Sequence, residues 1–547
     1  MRYRINQIRL GIDEEAADFA EVIRKKLRKP DLVVSDIEIV KESVDARRKP
    51  DVKLVYTLDF SCGEKLKLDK AVKKVYGPVT VKSEEAAAKR RPPVIAGFGP
   101  CGMFAALILA EAGLRPIVIE RGQAVDERIV SVNRFWNEGV LDPESNVQFG
   151  EGGAGTFSDG KLTTGIKDVR ISKVMDEFVL AGADPSIKYR QKPHIGTDRL
   201  RDIVKNIRHK IEELGGRVIF DTKLTGMTFS DPEDDGSGDG GVHGRDRGGV
   251  GSGGRRLTAV KTLDRSGRSQ TIETDSLILA IGHSARDTFR MLYDKGFPME
   301  QKPFSIGVRI EHPQKMIDKA QYGDPAIAEK LGAADYKLNH RCENGRGVYT
   351  FCMCPGGHVI DSSSEPETAV TNGMSNSSRS AEFANSGLLV DVRREDFPSG
   401  HPLAGIEFQR RYERLAYENG RGRIPVTDYG SFRKDTEDPV RKSLPPFAAD
   451  AIIEAMPYMG RKLRGFDRDD AVMKAVETRS SSPVRILRGK DHQCAAPETG
   501  VSGFSGVYPA GEGPGYAGGI MSAAVDGIKT AEYVIMDYGT DTGIFPG

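Results

Sequence analysis

The segment Val94-Ile95-Ala96-Gly97-Phe98-Gly99-Pro100-Cys101-Gly102 constrains this chain more than any other. Its apolar start has the character of a buried parallel strand. Gly97 permits a tight turn, Gly99 lets the backbone approach a pyrophosphate, and Gly102 allows a helix to pack closely on the strand. The helix, from Gly102 to about Ala112, points its free N–H groups and positive dipole end at the phosphates, which puts Pro100 and Cys101 in the contacting turn. A second strand, Arg115–Ile119, ends at Glu120 and Arg121. A carboxylate at Glu120 suits the two hydroxyls of an adenosine ribose. It would repel a 2′-phosphate, which disfavours NADP at this site.

That motif alone does not separate FAD from NAD. The C-terminal region decides for FAD. Gly506–Ile520 (GVYPAGEGPGYAGGI) runs from a strand into a glycine-rich turn. A helix follows, with small residues at Ala523, Ala524 and Gly527. Gly511 and Glu512 stand where many flavoproteins carry Gly-Asp, whose acid binds the ribityl or pyrophosphate region. Gly518, Gly519 and Ile520 begin the helix aimed at the flavin. Ile278–Gly282 adds a third element, an apolar strand ending in a glycine (Gly282) near the adenine side. No motif suggests a covalent flavin linkage, so non-covalent FAD is expected.

With these residues the chain resembles the uncharacterised FAD-dependent dehydrogenases, also described as NAD(P)/FAD-dependent oxidoreductases. The resemblance spans nearly the whole chain. It is carried by Gly97–Gly102, Gly150–Thr164, His194–Leu200, Phe351–Gly357, Thr371–Ser375 and Pro509–Ile520. It implies an α/β fold: a Rossmann-like FAD-binding domain of the three-layer, glutathione-reductase-like kind, an inserted mixed α+β substrate domain, and a small N-terminal α/β domain. The expected boundaries are 1–88 for the N-terminal domain, 89–289 and 486–547 for the FAD domain, and 290–485 for the substrate domain. The family supplies no substrate, and fold analogy cannot supply one.

Within 1–88, Arg4–Leu10 alternates as a strand does, and Asp13 can cap a helix running to about Leu27. Strands are expected at Val34–Val40 and Val52–Phe60. Lys82–Arg91 has the composition of a charged linker. Further on, Thr197 is placed to cap a helix to about Leu214, with strands at 217–229 and 256–263. Between those strands lies Asp231–Arg255, built of Gly, Asp, Ser and Arg. It has too little apolar surface to offset the entropy of ordering and is expected to be a disordered hairpin insertion.

Composition narrows the class further. Over 547 residues, Lys+Arg 80 and Asp+Glu 79 leave a net charge of +1, so no global field draws nucleic acid or an anionic membrane. The basic run Arg47-Arg48-Lys49 is the one foothold for RNA. No apolar run approaches the roughly 18 residues of a membrane span, and the N-terminus lacks a signal-peptide pattern. Six cysteines in so long a chain argue for a reducing, cytoplasmic setting, and no CxxC or CxxxxC pair is present.

For chemistry, Gly150–Leu162 (GEGGAGTFSDGKL) could bring backbone against a flat ring, with Ser158, Asp159 and Lys161 reaching flavin heteroatoms. Lys161 near the pyrimidine side would stabilise an anionic reduced ring. Phe351–Gly357 (FCMCPGG) closes a strand whose alternation puts Cys352 and Cys354 on one face. They are either a redox or nucleophilic thiol pair or inert core residues. The nine histidines show no HxH or HExxH spacing, so no metal site is expected. Arg309, Arg341 and Arg346 could bind a carboxylate.

The resemblance thus implies hydride transfer between flavin N5 and a small molecule. No second nucleotide-binding unit is visible, so NAD(P)H, if it is the electron donor, binds transiently; otherwise the donor is the substrate or a partner protein. An RNA- or protein-binding module with structural flavin and a flavoprotein monooxygenase remain the alternatives.

Overall fold

The computed structural model describes residues 1–14, 18–72, 75–81, 90–230, 255–495 and 503–539. Its centre is a five-stranded parallel sheet in the order Val507–Pro509, Leu277–Leu279, Val94–Ala96, Ile117–Ile119, Arg217–Ile219. Strand alternation divides the side chains between two cores. Ile95, Val118, Ile278 and Tyr508 pack with the helices Pro100–Glu111, Thr197–Glu213 and Ile520–Asp537. Val94, Ala96, Ile119, Leu277, Leu279 and Val507 face the other way, onto Leu224, Met227, Leu257 and Val260. Those four belong to an antiparallel layer built from Thr222–Ser230, Arg255–Asp264 and Ser269–Glu273. The result is the three-layer, Rossmann-like α/β arrangement. Strand order reverses at Val94–Ala96, and the crevice beyond the carboxyl end of such a strand is where ligands bind in open parallel sheets.

Several local expectations are corrected. The helix after the glycine turn starts at Pro100, with Gly99 as N-cap. The apolar strand expected at Ile278–Gly282 is Leu277–Leu279, so Gly282 lies beyond its end. Thr197 is not a cap; Gly196 is, and the Thr197 hydroxyl donates to the Thr156 carbonyl at 2.7 Å. Asp18, rather than Asp13, caps the first helix, Phe19–Leu27, by accepting from the Ala20 N–H. Lys82–Lys89 and Asp231–Gly254, the linker and the hairpin insertion, lie outside the described residues.

The N-terminal unit is a four-stranded antiparallel sheet, ordered Ser35–Asp45, Lys53–Ser61, Arg2–Gly11, Asp69–Lys70. Tyr3, Ile5, Ile8, Leu58 and Phe60 form its core with Ile23 of the helix. It docks through backbone hydrogen bonds from the Glu42 N–H to the Tyr189 carbonyl (2.8 Å) and from the Gln191 N–H to the Glu42 carbonyl (2.9 Å). In the basic run, Arg47 is paired with Asp45, and Lys49 donates to the Ala320 carbonyl.

The second large unit is a six-stranded antiparallel sheet, ordered Asn339–Arg341, Gly347–Cys354, Phe383–Val392, Phe304–Pro313, Val472–Glu477, Val426–Asp428. Helices Ala404–Asn419 and Pro446–Lys462 join its core. Where the chain enters and leaves, Met299–Gln301 and Val484–Ile486 pair antiparallel and close the neck. A buried ion cluster holds the two large units together. Glu413 accepts from Arg286 at 2.8 Å through both oxygens, and from Arg479 at 3.0 and 3.1 Å.

Burial alone would raise the Glu413 carboxyl, but Arg286 and Arg479 hold it well below its ordinary range. A depressed carboxyl stabilises the fold above its unfolded pKa and loses that contribution as pH falls. Glu413→Ala should cost roughly 3–5 kcal/mol at neutral pH, because it strands two buried cations; denaturant unfolding at pH 7 measures it. The flanks of the insertion also make a prediction. Ser230 pairs with Arg256, so the chain leaves and re-enters at neighbouring positions. Replacing Asp231–Gly254 by a short turn should leave flavin content and Tm nearly unchanged, since loop closure changes by only about 0.6 kcal/mol per doubling of length.

Candidate functional site

The glycine turn is built around one carboxylate. Glu120, 5% exposed, accepts from the Phe98 N–H at 2.8 Å and from the N–H groups of Gly122 and Gly150, each at 2.9 Å. These three backbone donors take most of its acceptor capacity and fix the orientation of the carboxylate. Arg121 likewise faces protein, forked onto Asp287 at 2.8–2.9 Å and onto Glu144. Gly97 has φ +102°, and a side chain there would strike the Ala280 carbonyl. A Cβ on Gly102 would lie 1.9 Å from the Gly97 carbonyl oxygen, which enforces the close helix–strand packing.

The glycine-rich segment following Gln148 crosses this turn. A Cβ on Gly153 would come within 3.0 Å of the Gly99 Cα, and one on Gly155 would meet Ile520 and Pro100. The three sequence elements therefore converge. Arg128, fully buried, shapes the segment by donating to the carbonyls of Asn146, Val147 and Glu151. Glu151, also fully buried, accepts from the Val125 N–H and from Arg208. Neither residue carries a sequence signal, because the Arg128 partners are backbone carbonyls.

Gly511, at φ +80°, faces Cys101 at the contact between the two central helices, so Cys101 is a buried packing residue. Asp526 fixes the turn: it accepts from the Gly511 N–H at 2.7 Å and from both terminal nitrogens of Arg488. Asp526 and Arg488 went unnoticed in the sequence. Glu512 stands 3.4 Å from His283, next to Gly282.

One line of backbone stays accessible amid buried neighbours: Gly97, Gly99 and Pro100, then Gly153–Gly155, Gly282, and Gly518–Gly519. Both helices that end on this line, at Gly99 and at Gly519, start without a side-chain cap. Their free N–H groups suit anionic phosphates. The His283 Nε2 is buried without a partner. These open donors fit an extended dinucleotide carrying a pyrophosphate.

Cys352 and Cys354 lie where the second unit meets this segment. The strand bulges between Phe351 and Cys354, and Cys352 adopts φ +43°, so the simple alternation expected there fails. Cys352 is half-buried and Cys354 fully buried, and no cysteine of the chain is in a disulfide. The Cys352 carbonyl accepts from Arg309 at 2.9 Å and from the Cys354 thiol at 3.3 Å. Arg309, fully buried, is also paired with Glu477 and bonded to Asn372 and Asn385. The Cys354 thiol, together with the charges of Lys161 and Arg309, draws the Cys352 thiol below its ordinary range, whereas that same contact and burial push Cys354 well above it. Burial raises Glu477 to about 7 in spite of Arg309. The candidates Cys352 and Cys354 thus adjoin, and Lys161 lies within electrostatic reach of them. Ser158 and Asp159 do not present free oxygens: the Ser158 hydroxyl donates to the Gly155 carbonyl, and Asp159 is bridged by Arg379 at 2.5 and 3.0 Å. Arg346 is occupied by Asp396.

A reversed parallel sheet with an open glycine crevice and two uncapped helix ends defines a dinucleotide-binding flavoprotein. The chain belongs to the same family as an uncharacterized protein of Clostridium beijerinckii, with which it is 43% identical over 98% of its own length and 99% of the relative's. Residues 303–480 match the family described as FAD-dependent protein, C-terminal domain-like, and residues 2–61 match a domain of unknown function, DUF8436. FAD is the cofactor. Among solved structures, a glycerol-3-phosphate dehydrogenase from Bacillus halodurans complexed with FAD aligns over 84% of this chain and 67% of its own, at 11% identity and TM-score 0.37. A flavoprotein/dehydrogenase from Cytophaga hutchinsonii aligns over 82% and 78%, at 12% identity and TM-score 0.34. Likenesses this distant carry no argument about activity.

Gly99→Val should abolish FAD retention by filling the crevice. Arg128→Met should lower it too, although Arg128 lies beneath the loop, because three buried carbonyls lose their donors at roughly 1–3 kcal/mol each. Flavin absorbance per chain after gel filtration measures both.

Proposed function

We propose that the protein is an FAD-dependent oxidoreductase that passes a hydride between flavin and a small molecule held at the seam between the parallel-sheet unit and the six-stranded sheet. The carrying observation is that Arg379 bridges Asp159, so that the segment lining the crevice is fixed to the other unit and Lys161 comes within electrostatic reach of the Cys352–Cys354 pair. Bound FAD supplies two-electron chemistry at N5. The chain's own residues supply charge and protons. Lys161 offers a cation to developing negative charge. Cys352 stands ready as a thiolate at neutral pH, and Cys354 as the adjoining protonated thiol. The Asn385 amide nitrogen and the Thr371 hydroxyl, both buried without partners, are polar groups available to a substrate in this region. Among the described residues the chain has one parallel sheet. That supports transient use of NAD(P)H over the substrate pocket, or reduction by the substrate or a partner protein.

Two measurements test this reading. Iodoacetamide alkylation of Cys352, followed by mass spectrometry, should set in at lower pH than that of an ordinary thiol. It should already be fast at neutral pH, whereas an ordinary thiol gains reactivity near about pH 8.5; an onset there would mean that Cys352 is not activated. Cys352→Ser should retain FAD while slowing flavin reduction by on the order of 10²-fold in anaerobic stopped-flow across a panel of donors that includes NADH and NADPH. Unchanged reduction rates in that variant would remove Cys352 from the mechanism. Saturation at low micromolar nicotinamide would contradict transient binding.

A further inference from the structure

At the far edge of the six-stranded sheet lies a second constellation, independent of the flavin. His340 is in the edge strand Asn339–Arg341, and Cys342 follows it two residues on, at the mouth of the hairpin to Gly347–Cys354. Glu454 comes from the helix Pro446–Lys462, which packs over that edge. One donor atom from each residue lies within 4.8 Å of the others, and His340 Nε2 stands 3.7 Å from Glu454 Oε1. Zinc bonds of about 2.0–2.3 Å in tetrahedral geometry separate ligand atoms by roughly 3.3–3.8 Å, so small side-chain movements close the triad on one ion.

The surroundings hold these donors in place. His340 stacks on Tyr458 at 4.0 Å with an interplanar angle of 14°. The Glu343 N–H donates to Glu454 Oε1 at 2.9 Å and orients the carboxylate. Cys342 is 4% exposed, whereas His340 and Glu454 keep 17% and 32% of their side chains accessible. The triad therefore has a closed side at sulfur and an open side toward solvent.

We propose that His340, Cys342 and Glu454 form a binding site for a borderline-soft divalent cation, Zn²⁺, with water in the fourth position. The donor set selects the metal. Thiolate and imidazole disfavour Mg²⁺ and Ca²⁺, which take oxygen ligands, and the mixed N, S, O triad matches tetrahedral zinc. The ion ties the hairpin mouth to the helix and so anchors the start of the strand that ends in Cys352 and Cys354. Scanning the sequence for HxH or HExxH could not find this site, because its third ligand arrives from a helix far along the chain.

The experiment uses the full-length FAD-loaded protein, stripped with a chelator and titrated with Zn²⁺ alone. Bound metal is counted by elemental analysis after gel filtration. Co²⁺ serves as a spectroscopic probe, read as the thiolate-to-metal charge-transfer band in difference spectra against metal-free protein. The expected result is one retained Zn²⁺ per chain and a thiolate band that disappears in Cys342→Ser. Glu454→Gln and His340→Asn, at accessible positions that tolerate change, should each weaken Zn²⁺ by more than about 100-fold, since outer-shell changes already cost about 10–100-fold. Cys352→Ser should keep the zinc, which separates this site from the thiol pair at the seam. Absence of retained Zn²⁺ in the wild-type protein would overturn the proposal. So would retention unaffected by Glu454→Gln and His340→Asn.

Discussion

The carboxylate of Glu120 is the point on which the cofactor crevice depends. It gathers three backbone N–H groups from three separate stretches: the glycine turn, the end of the second strand, and the long glycine-rich segment. Hydrogen bonds to an ionised acceptor in a buried setting are strong and directional. One side chain thereby helps to fix the segment that passes close to Gly99 at Gly153. A longer or displaced acid would leave those N–H groups without partners and let the crevice walls drift apart.

Arginine recurs wherever the fold must hold irregular backbone in its interior. Arg128 binds three carbonyls of the glycine segment. Arg309 combines Glu477, the Cys352 carbonyl, Asn372 and Asn385. Arg286 and Arg479 share Glu413 between the two large units. A planar fork with several fixed donors can satisfy diverging acceptors at once, which the point charge of lysine cannot. Glycine accompanies the first two of these devices. A Cβ on Gly373 would strike the Arg309 guanidinium, one on Gly387 would meet Glu477, and one on Gly150 would strike Arg128.

The strand–turn–helix at Val94–Gly102 and the late glycine turn were legible because their functions depend on backbone, and backbone demands leave glycine in the sequence. Lys161, Cys352 and Cys354 are legible as three candidates but not as neighbours in one electrostatic environment, since they stand on two units far apart along the chain. Glu120 stands out in the sequence as an acid at the end of a strand, but its backbone partners do not, because a carboxylate in that place suits a ribose or backbone N–H groups equally well by sequence pattern. Ser158 and Asp159 looked available for the same reason: nothing local announces Arg379 or the Gly155 carbonyl. Asp526 was hidden in a helix whose spacing says only that it is buried.

The parallel sheet is discontinuous along the chain. Its central strand ends at Ala96, but its edge strand Val507–Pro509 and the helix Ile520–Asp537, whose uncapped end closes the crevice, come more than four hundred residues later. On a ribosome these pieces emerge at opposite ends of synthesis. The nascent protein can form the N-terminal sheet long before it can hold its nucleotide, whereas the six-stranded sheet gains its strand Val472–Glu477 only shortly before Val507. Cofactor capture is thus a late event of biogenesis, and chains interrupted before Val507 are born colourless.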